Sequence, residues 1–187
     1  MCLHFLFAGA ARNEPGTLVT FQESRTQLSR VVNSFCWSLT DPAITILARS
    51  PVDLHIYELL GSVDETGSRR VVIDSLNDLM AAVADPMRTR EFSYSLVHRL
   101  ARAGISLMAT LESPELFQIK RLSELGMSHM ADNVLLLQHL HSGHEMRRAL
   151  TVLKTRGDSH TSTVREFQIT SQGITLGEPI DVEALLR

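Results

Sequence analysis

The sequence predicts an α/β fold, a mostly parallel sheet flanked by helices and extended at one side by C-terminal antiparallel strands. Two observations lead to this prediction. Short β-branched runs alternate with helical spacings of apolar residues over most of the chain, and hairpin-like strands follow. The 187 residues are 44% hydrophobic and carry a net charge of −3. That balance is typical of one globular domain, which we place over residues 1–187.

The first part of the chain alternates helices with strands. Apolar residues at helical spacing over 2–8, followed by Gly9, predict the first helix. Ser24 is of a type that caps helices and predicts the start of a second helix, whose apolar side consists of Leu28, Val31, Val32 and Phe35. The other predicted helices are 52–60, 76–83, 90–103 and 114–125, and the predicted strands are 17–21, 44–48, 70–74 and 105–110.

The C-terminal part is predicted to consist of strands. Turn signals at Ser142-Gly143 and Gln172-Gly173 predict two hairpins. The strands themselves are predicted over 133–140, 148–154, 165–170 and 174–176.

Composition excludes several classes of protein. Aromatic residues make up only 5% and the net charge is slightly negative, so a nucleic-acid partner is not expected. The apolar stretch 2–11 is far shorter than the roughly 20 residues of a membrane span and lacks the basic flank of a signal peptide. Two cysteines, Cys2 and Cys36, cannot form a disulfide framework, which favours a cytoplasmic location. Cys36 is predicted to lie in the core, on the apolar side of a helix.

The run from Arg70 to Asp74 is the strongest chemical pattern. It is an apolar strand that places an aspartate at its C-terminal end, where open α/β sheets bind their ligands. In nucleotide hydrolases such a carboxylate holds Mg²⁺ against the phosphates. The alternative is an aspartate that simply begins a loop.

A second polar cluster follows the first predicted strand. Gln22 and Glu23 come directly after it, and a carboxylate there could polarise an attacking water. The alternative is helix capping by Ser24, with Glu23 favouring the positive end of the helix dipole.

Basic residues end another predicted strand. Lys154 and Arg156 alternate with Thr155, so both are expected on one side of the strand, and such a pair can bind phosphate. A solvated strand end is the alternative. Only two of the 18 basic residues are lysines, Lys120 and Lys154, and neither follows a glycine. The chain therefore contains no Gly-Lys-Ser/Thr phosphate loop.

The order of these motifs resembles a KaiC-type ATPase domain of the RecA superfamily, with a P-loop NTPase core. The segments that carry the resemblance are 5–10, 16–24, 70–76, 131–133, 153–160 and 165–167. The most specific of them is Lys154-x-Arg156-Gly157-x-x-His160, followed by Arg165-Glu166-Phe167.

The resemblance implies ATP and Mg²⁺ bound between neighbouring subunits of a ring, usually a hexamer, made of this chain or a KaiC-like paralogue. Asp74 would be the Walker B aspartate, and Glu23 and Gln22 would occupy the catalytic positions. The nucleotide contacts carried over are Ser34, Lys154, Thr155, Arg156, Asp158 and His160. The family's ATPase activity serves ring assembly and signalling, including circadian timing.

The chain also departs from the family pattern. Gln22 replaces the first of two consecutive glutamates, so hydrolysis is expected to be weak, and Asp158 replaces a small hydroxyl residue. The first helix directly follows the phosphate loop in relatives, so we expect an N-terminally truncated domain that binds ATP poorly alone. Two alternatives remain: a non-hydrolysing subunit that supplies Lys154 and Arg156 in trans, or a natural protein that starts upstream.

Overall fold

The chain divides into two units, Met1–Glu112 and Ser113–Arg187. A computed structural model describes residues 1–50, 56–81, 85–112, 129–142, 145–157 and 159–181. None of the helices in these ranges is both long and apolar enough to cross a membrane.

The first unit is an open parallel sheet with helices on both faces. Its elements are α1 (Cys2–Ala10), β1 (Gly16–Thr20), α2 (Arg25–Ser34), β2 (Ile44–Ala48), α3 (Ile56–Glu65), β3 (Arg70–Asp74), α4 (Leu76–Ala81), α5 (Pro86–Arg102) and β4 (Ser106–Ala109). The strand order is β2-β1-β3-β4, and every neighbouring pair is parallel. The α/β alternation that the sequence predicts is therefore confirmed for the described elements.

Two cores form because successive residues of a strand face opposite sides of the sheet. Val71 and Ile73 of β3 pack with residues of α3, α4 and α5, whereas Val72 packs with residues of α1 and α2. The central strands are covered on both faces, and all three of these β3 residues are fully buried. Burial on both sides explains why β3 is a continuous apolar run rather than an alternating one.

Helix α2 begins at the predicted cap. The Ser24 hydroxyl accepts a hydrogen bond from the backbone N–H of Gln27, and the Gln27 side chain accepts one from the backbone N–H of Ser24. This reciprocal arrangement satisfies two N–H groups that the helix itself cannot pair. Leu28 and Val32 are buried as predicted, whereas the prediction is wrong for Val31, which is exposed, and Phe35 lies just beyond the end of the helix.

The described part of the second unit contains four antiparallel strands in the order β5-β6-β7-β8. They are β5 (Asn133–Ser142), β6 (Glu145–Thr155), β7 (Arg165–Thr170) and β8 (Gly173–Pro179). The predicted turn at Gln172 joins β7 to β8, and Gly173 has a φ of 91°, which glycine adopts without strain. The predicted helix over 114–125 lies outside the described residues.

One prediction about the sheet is wrong. We expected the antiparallel strands to extend the parallel sheet, whereas within the described residues they pair only with one another and form a second sheet. Apolar periodicity indicates that a segment is a strand, but it does not determine which strand lies beside it.

Arg70 fastens α1 and the loop after it to the start of β3. Its guanidinium donates to Glu14 Oε2 through Nε at 2.8 Å and to the Phe5 carbonyl oxygen at 2.7 Å. It also lies over the Phe5 ring, 4.8 Å from the centroid. Gly9 leaves room for this side chain, because a Cβ there would lie 2.5 Å from Arg70 Cδ.

We expect Arg70→Ala to lower the free energy of unfolding by about 2–3 kcal/mol, because it removes the charge-assisted hydrogen bonds to Glu14 and to the Phe5 carbonyl oxygen. Arg70→Lys should rescue little, since an ammonium cannot reproduce the planar fork. Arg69→Ala, which changes the exposed residue next to Arg70, is the control. Urea denaturation followed by circular dichroism measures the difference, and equal losses for both alanine variants would contradict this role.

Candidate functional site

The candidate site lies at the carboxyl ends of β1 and β3. These strands pair in parallel with Thr20 opposite Asp74, and the backbone N–H of Phe21 donates to the Asp74 carbonyl oxygen at 3.3 Å. Gln22 and Glu23 follow immediately in the chain. The register therefore brings the predicted catalytic positions and the predicted metal ligand to one edge of the sheet, where ligands of open α/β sheets bind.

Neighbouring hydroxyl groups hold the two carboxylates. The Thr20 hydroxyl donates to Glu23 Oε2, and the Thr110 hydroxyl, just after β4, donates to Asp74 Oδ1. Each of these hydrogen bonds occupies one acceptor site of a half-buried carboxylate and fixes the orientation of that carboxylate. The capping role proposed as the alternative belongs to Ser24, while Glu23 is turned back toward β1.

Gln22 has a different kind of partner. Its Nε2 donates to both carboxylate oxygens of Asp78 in α4, at 3.1 Å each. The Ser75 hydroxyl donates to Asp78 Oδ2 at 2.6 Å. These hydrogen bonds, first from Ser75 and then from Gln22, lower the pKa of the Asp78 carboxyl below its ordinary value, so it is ionised at neutral pH.

The start of α1 lies near the same carboxylates. Burial raises the pKa of the Cys2 thiol to about 11, and the charge of Asp74 and, more weakly, that of Glu23 act in the same direction. A helix N-terminus carries a partial positive charge and unpaired N–H groups, which favour anions. The edge of the sheet thus combines carboxylates with the positive end of a helix.

The end of α2 carries one predicted site residue and is followed by a cysteine that was predicted to be buried. Ser34, a predicted nucleotide contact, is exposed, and its hydroxyl donates to the Val31 carbonyl oxygen at 2.7 Å. The prediction of a buried Cys36 is wrong, because α2 ends at Ser34 and Cys36 follows with a φ of 58°, exposed to solvent. Trp37 instead packs near the core, stacked on Phe7.

The predicted phosphate-binding residues belong to the second unit. Lys154 Nζ donates to the Ala131 carbonyl oxygen at 2.7 Å, and Arg156 donates to the His129 carbonyl oxygen at 3.1 Å and to Asp132 at 3.3 Å. Thr155 ends β6, His160 is exposed beyond it, and Asp158 lies outside the described residues. One short segment, 129–132, therefore holds both cations of the predicted pair.

The donor set at the first site fits Mg²⁺. Among the described residues no group of three His, Cys, Asp or Glu side chains could hold a metal ion. Mg²⁺ needs no such group, because it is usually bound through one or two carboxylates together with phosphates and water. Asp74, fixed by Thr110 and half-buried at the strand end, provides an oxygen ligand of the required kind.

Three residues of this site were not identified from the sequence, Thr20, Thr110 and Asp78. Thr20 and Thr110 lie at the carboxyl ends of predicted strands, so the strand pattern already contained the signal that points to them. Asp78 lies three residues after Ser75 at the start of α4, a spacing that permits a local hydrogen bond.

The position of Cys2 provides a test of the site's geometry. In a Cys36→Ala background, Asp74→Asn removes a negative charge that raises the pKa of Cys2, so the thiolate fraction should increase. We expect alkylation of Cys2 by iodoacetamide at pH 8 to become roughly two- to tenfold faster, because the pKa of Cys2 falls by up to about one unit. Mass spectrometry in metal-free buffer measures the rate. Asp64→Asn on α3 is the control, and equal rates in the two variants would contradict this arrangement.

A family comparison covers most of the chain. The family model described as "ATPase: KaiC" matches residues 48–180. That range includes α3 to β8 and therefore Asp74, Lys154, Arg156 and His160.

Individual relatives agree with this match. The chain is 30% identical, over 96% of its length, to the circadian clock protein KaiC3 of Synechocystis sp.. It is 30% identical over 93% of its length to the circadian clock oscillator protein KaiC of Synechococcus elongatus, and 28% identical over 93% to that of Parathermosynechococcus lividus. The chain spans only 37%, 37% and 35% of these three relatives. With the family model matched over most of its residues, the chain belongs to the KaiC ATPase family.

Proposed function

We propose that this chain forms part of an ATP site of the RecA-like, P-loop NTPase type, with Mg²⁺ at Asp74 and with Glu23 and Gln22 beside the attacking water. One observation carries the proposal: β1 and β3 pair so that these three residues meet at one edge of the sheet.

The residues divide the chemistry between them. Bound Mg²⁺ would neutralise charge on the phosphate oxygens. Glu23 is a carboxylate and can accept a proton from water, whereas the amide of Gln22 cannot. Hydrolysis by this chain is therefore expected to be slow compared with a site that has two carboxylates. The 187 residues contain no Gly-Lys-Ser/Thr phosphate loop, so we also expect the chain alone to bind ATP weakly.

The second unit supplies the contacts to a neighbouring subunit. Lys154, Thr155, Arg156 and His160, with Ser34 of the first unit and with Asp158, are proposed to contact nucleotide in a ring of this chain or of a KaiC-like paralogue. A hexameric ring in the cytoplasm fits the family to which the chain belongs. The clock proteins among its relatives make signalling the proposed process.

Replacement of the metal ligand tests the proposed site directly. Asp74→Asn should weaken ATP binding in the presence of Mg²⁺ by about tenfold or more, equivalent to at least 1.4 kcal/mol. Without Mg²⁺ the variant should bind ATP at least as well as the unmodified chain, because the lost attraction passes through the cation and the removed charge only repels phosphate. Titration with a fluorescent ATP analogue at millimolar concentrations, with and without Mg²⁺, measures both affinities. Asp64→Asn should behave as the unmodified chain, and Mg²⁺-independent binding in every variant would rule out this metal site.

A second function is favoured by the way the two cations are held. Segment 129–132 fixes Lys154 and Arg156 through carbonyl oxygens and Asp132, which orders both side chains before a partner binds. Ordering in advance lowers the entropic cost of binding. The chain could therefore act as a non-hydrolysing subunit that presents Arg156 to the ATP of an intact paralogue.

Mixing experiments distinguish this second function from the first. An arginine supplied in trans raises kcat by roughly 10³–10⁵ in GTPases, so the chain should stimulate the ATPase rate of an intact KaiC-type protein, and Arg156→Ala should abolish the gain. Arg148→Ala, an exposed arginine on β6, is the matched control. A rate that the chain does not change, or one that Arg156→Ala stimulates equally, would exclude the role in trans.

A further inference from the structure

The contact between Gln22 and Asp78 joins two parts of the site that are 56 residues apart in sequence. Gln22 follows β1, and Asp78 lies in α4 just after β3. Gln22 Nε2 is 3.1 Å from each carboxylate oxygen of Asp78, and the Ser75 hydroxyl holds one of those oxygens at 2.6 Å. Ser75 thus fixes the Asp78 carboxylate at the position where it accepts hydrogen bonds from the Gln22 amide.

This contact determines which way the Gln22 amide points. An ionised carboxylate can only accept hydrogen bonds, so the amide NH₂ group must face Asp78, and the reversed orientation would place two oxygens against each other. The hydrogen bonds recorded for the Gln22 side chain within the described residues use only Nε2. In this orientation Oε1, the other polar atom of the amide, is turned away from Asp78 and can accept a hydrogen bond.

An acceptor oxygen at this place has a chemical use even though it cannot remove a proton. In GTPases a glutamine orients the attacking water by hydrogen bonding alone. During ATP hydrolysis the water oxygen bonds to the terminal phosphorus, and the bond from that phosphorus to the bridging oxygen breaks, its electron pair leaving with ADP. The proton released by the water passes to Glu23, the carboxylate next to Gln22.

We propose that Asp78 is a positioning residue that holds Gln22 with Oε1 toward the attacking water. This inference rests on the proposed function, because the water exists only in a nucleotide site. Gln22 then orients the water and Glu23 accepts its proton, which separates two tasks between neighbouring side chains. Asp78 itself contacts neither water nor nucleotide.

The test combines a spectroscopic signature with kinetics on the full 187-residue chain. In ¹⁵N-labelled protein, Gln22→Ala identifies the side-chain NH₂ signals of Gln22 by their loss. Asp78→Asn keeps the size of the side chain but removes the charge that fixes the amide, so the Gln22 NH₂ signals should shift. It should lower kcat for ATP by about tenfold while KM stays within about twofold, since a Gln22 amide that is no longer held orients the attacking water less well and no contact to the nucleotide is removed. Asp78→Glu should retain most of both properties, and Asp64→Asn should match the unmodified chain.

The results distinguish a failure of the role of Asp78 from a failure of the proposed ATP site. If Asp78→Asn leaves the Gln22 NH₂ signals unchanged, or shifts them without lowering kcat, the role of Asp78 is overturned although the ATP site stands. If the unmodified chain binds no Mg²⁺-ATP, or binds it without turnover, the hydrolytic function is overturned and this role with it. Thermal unfolding of each variant separates these results from a loss of folded protein.

Discussion

The parallel pairing of β1 with β3 is the constraint on which the candidate site depends. With Thr20 opposite Asp74, the segment leaving β1 must pass the carboxylate that ends β3. A shift of one residue in the pairing would turn the side chains of a strand to the opposite face of the sheet. Leu18 and Val72 pack in the core with α1 and α2, whereas Val19 packs in the other core, so the burial of both cores holds the register and, through it, the site.

Helix α1 connects the opposite ends of this sheet. Arg70 binds the Phe5 carbonyl oxygen at the amino end of β3, while Cys2, at the start of the helix, lies near Asp74 at the carboxyl end. The interactions of Arg70 therefore help to determine where the positive end of α1 lies relative to the carboxylates.

Features specified by neighbouring residues could be predicted from the sequence, and features that depend on strand order could not. Strands β2 and β3 have the predicted bounds because β-branched runs are flanked there by polar or turn residues, and the cap of Ser24 depends only on residues three positions apart. The bond between Gln22 and Asp78 spans 56 residues, and that between Asp74 and Thr110 spans 36. Both require knowledge that β3 lies between β1 and β4, which periodicity does not contain.

Asp78 also gives a physical reason for the amide at position 22. A glutamate there would face a second carboxylate, and like charges in contact raise a pKa or move the side chains apart. The amide instead donates to Asp78 at 3.1 Å and relieves this repulsion. Asp78, a charged residue on α4, thus fixes the orientation of the Gln22 amide. The amide at position 22 is therefore matched by an acceptor within the same chain.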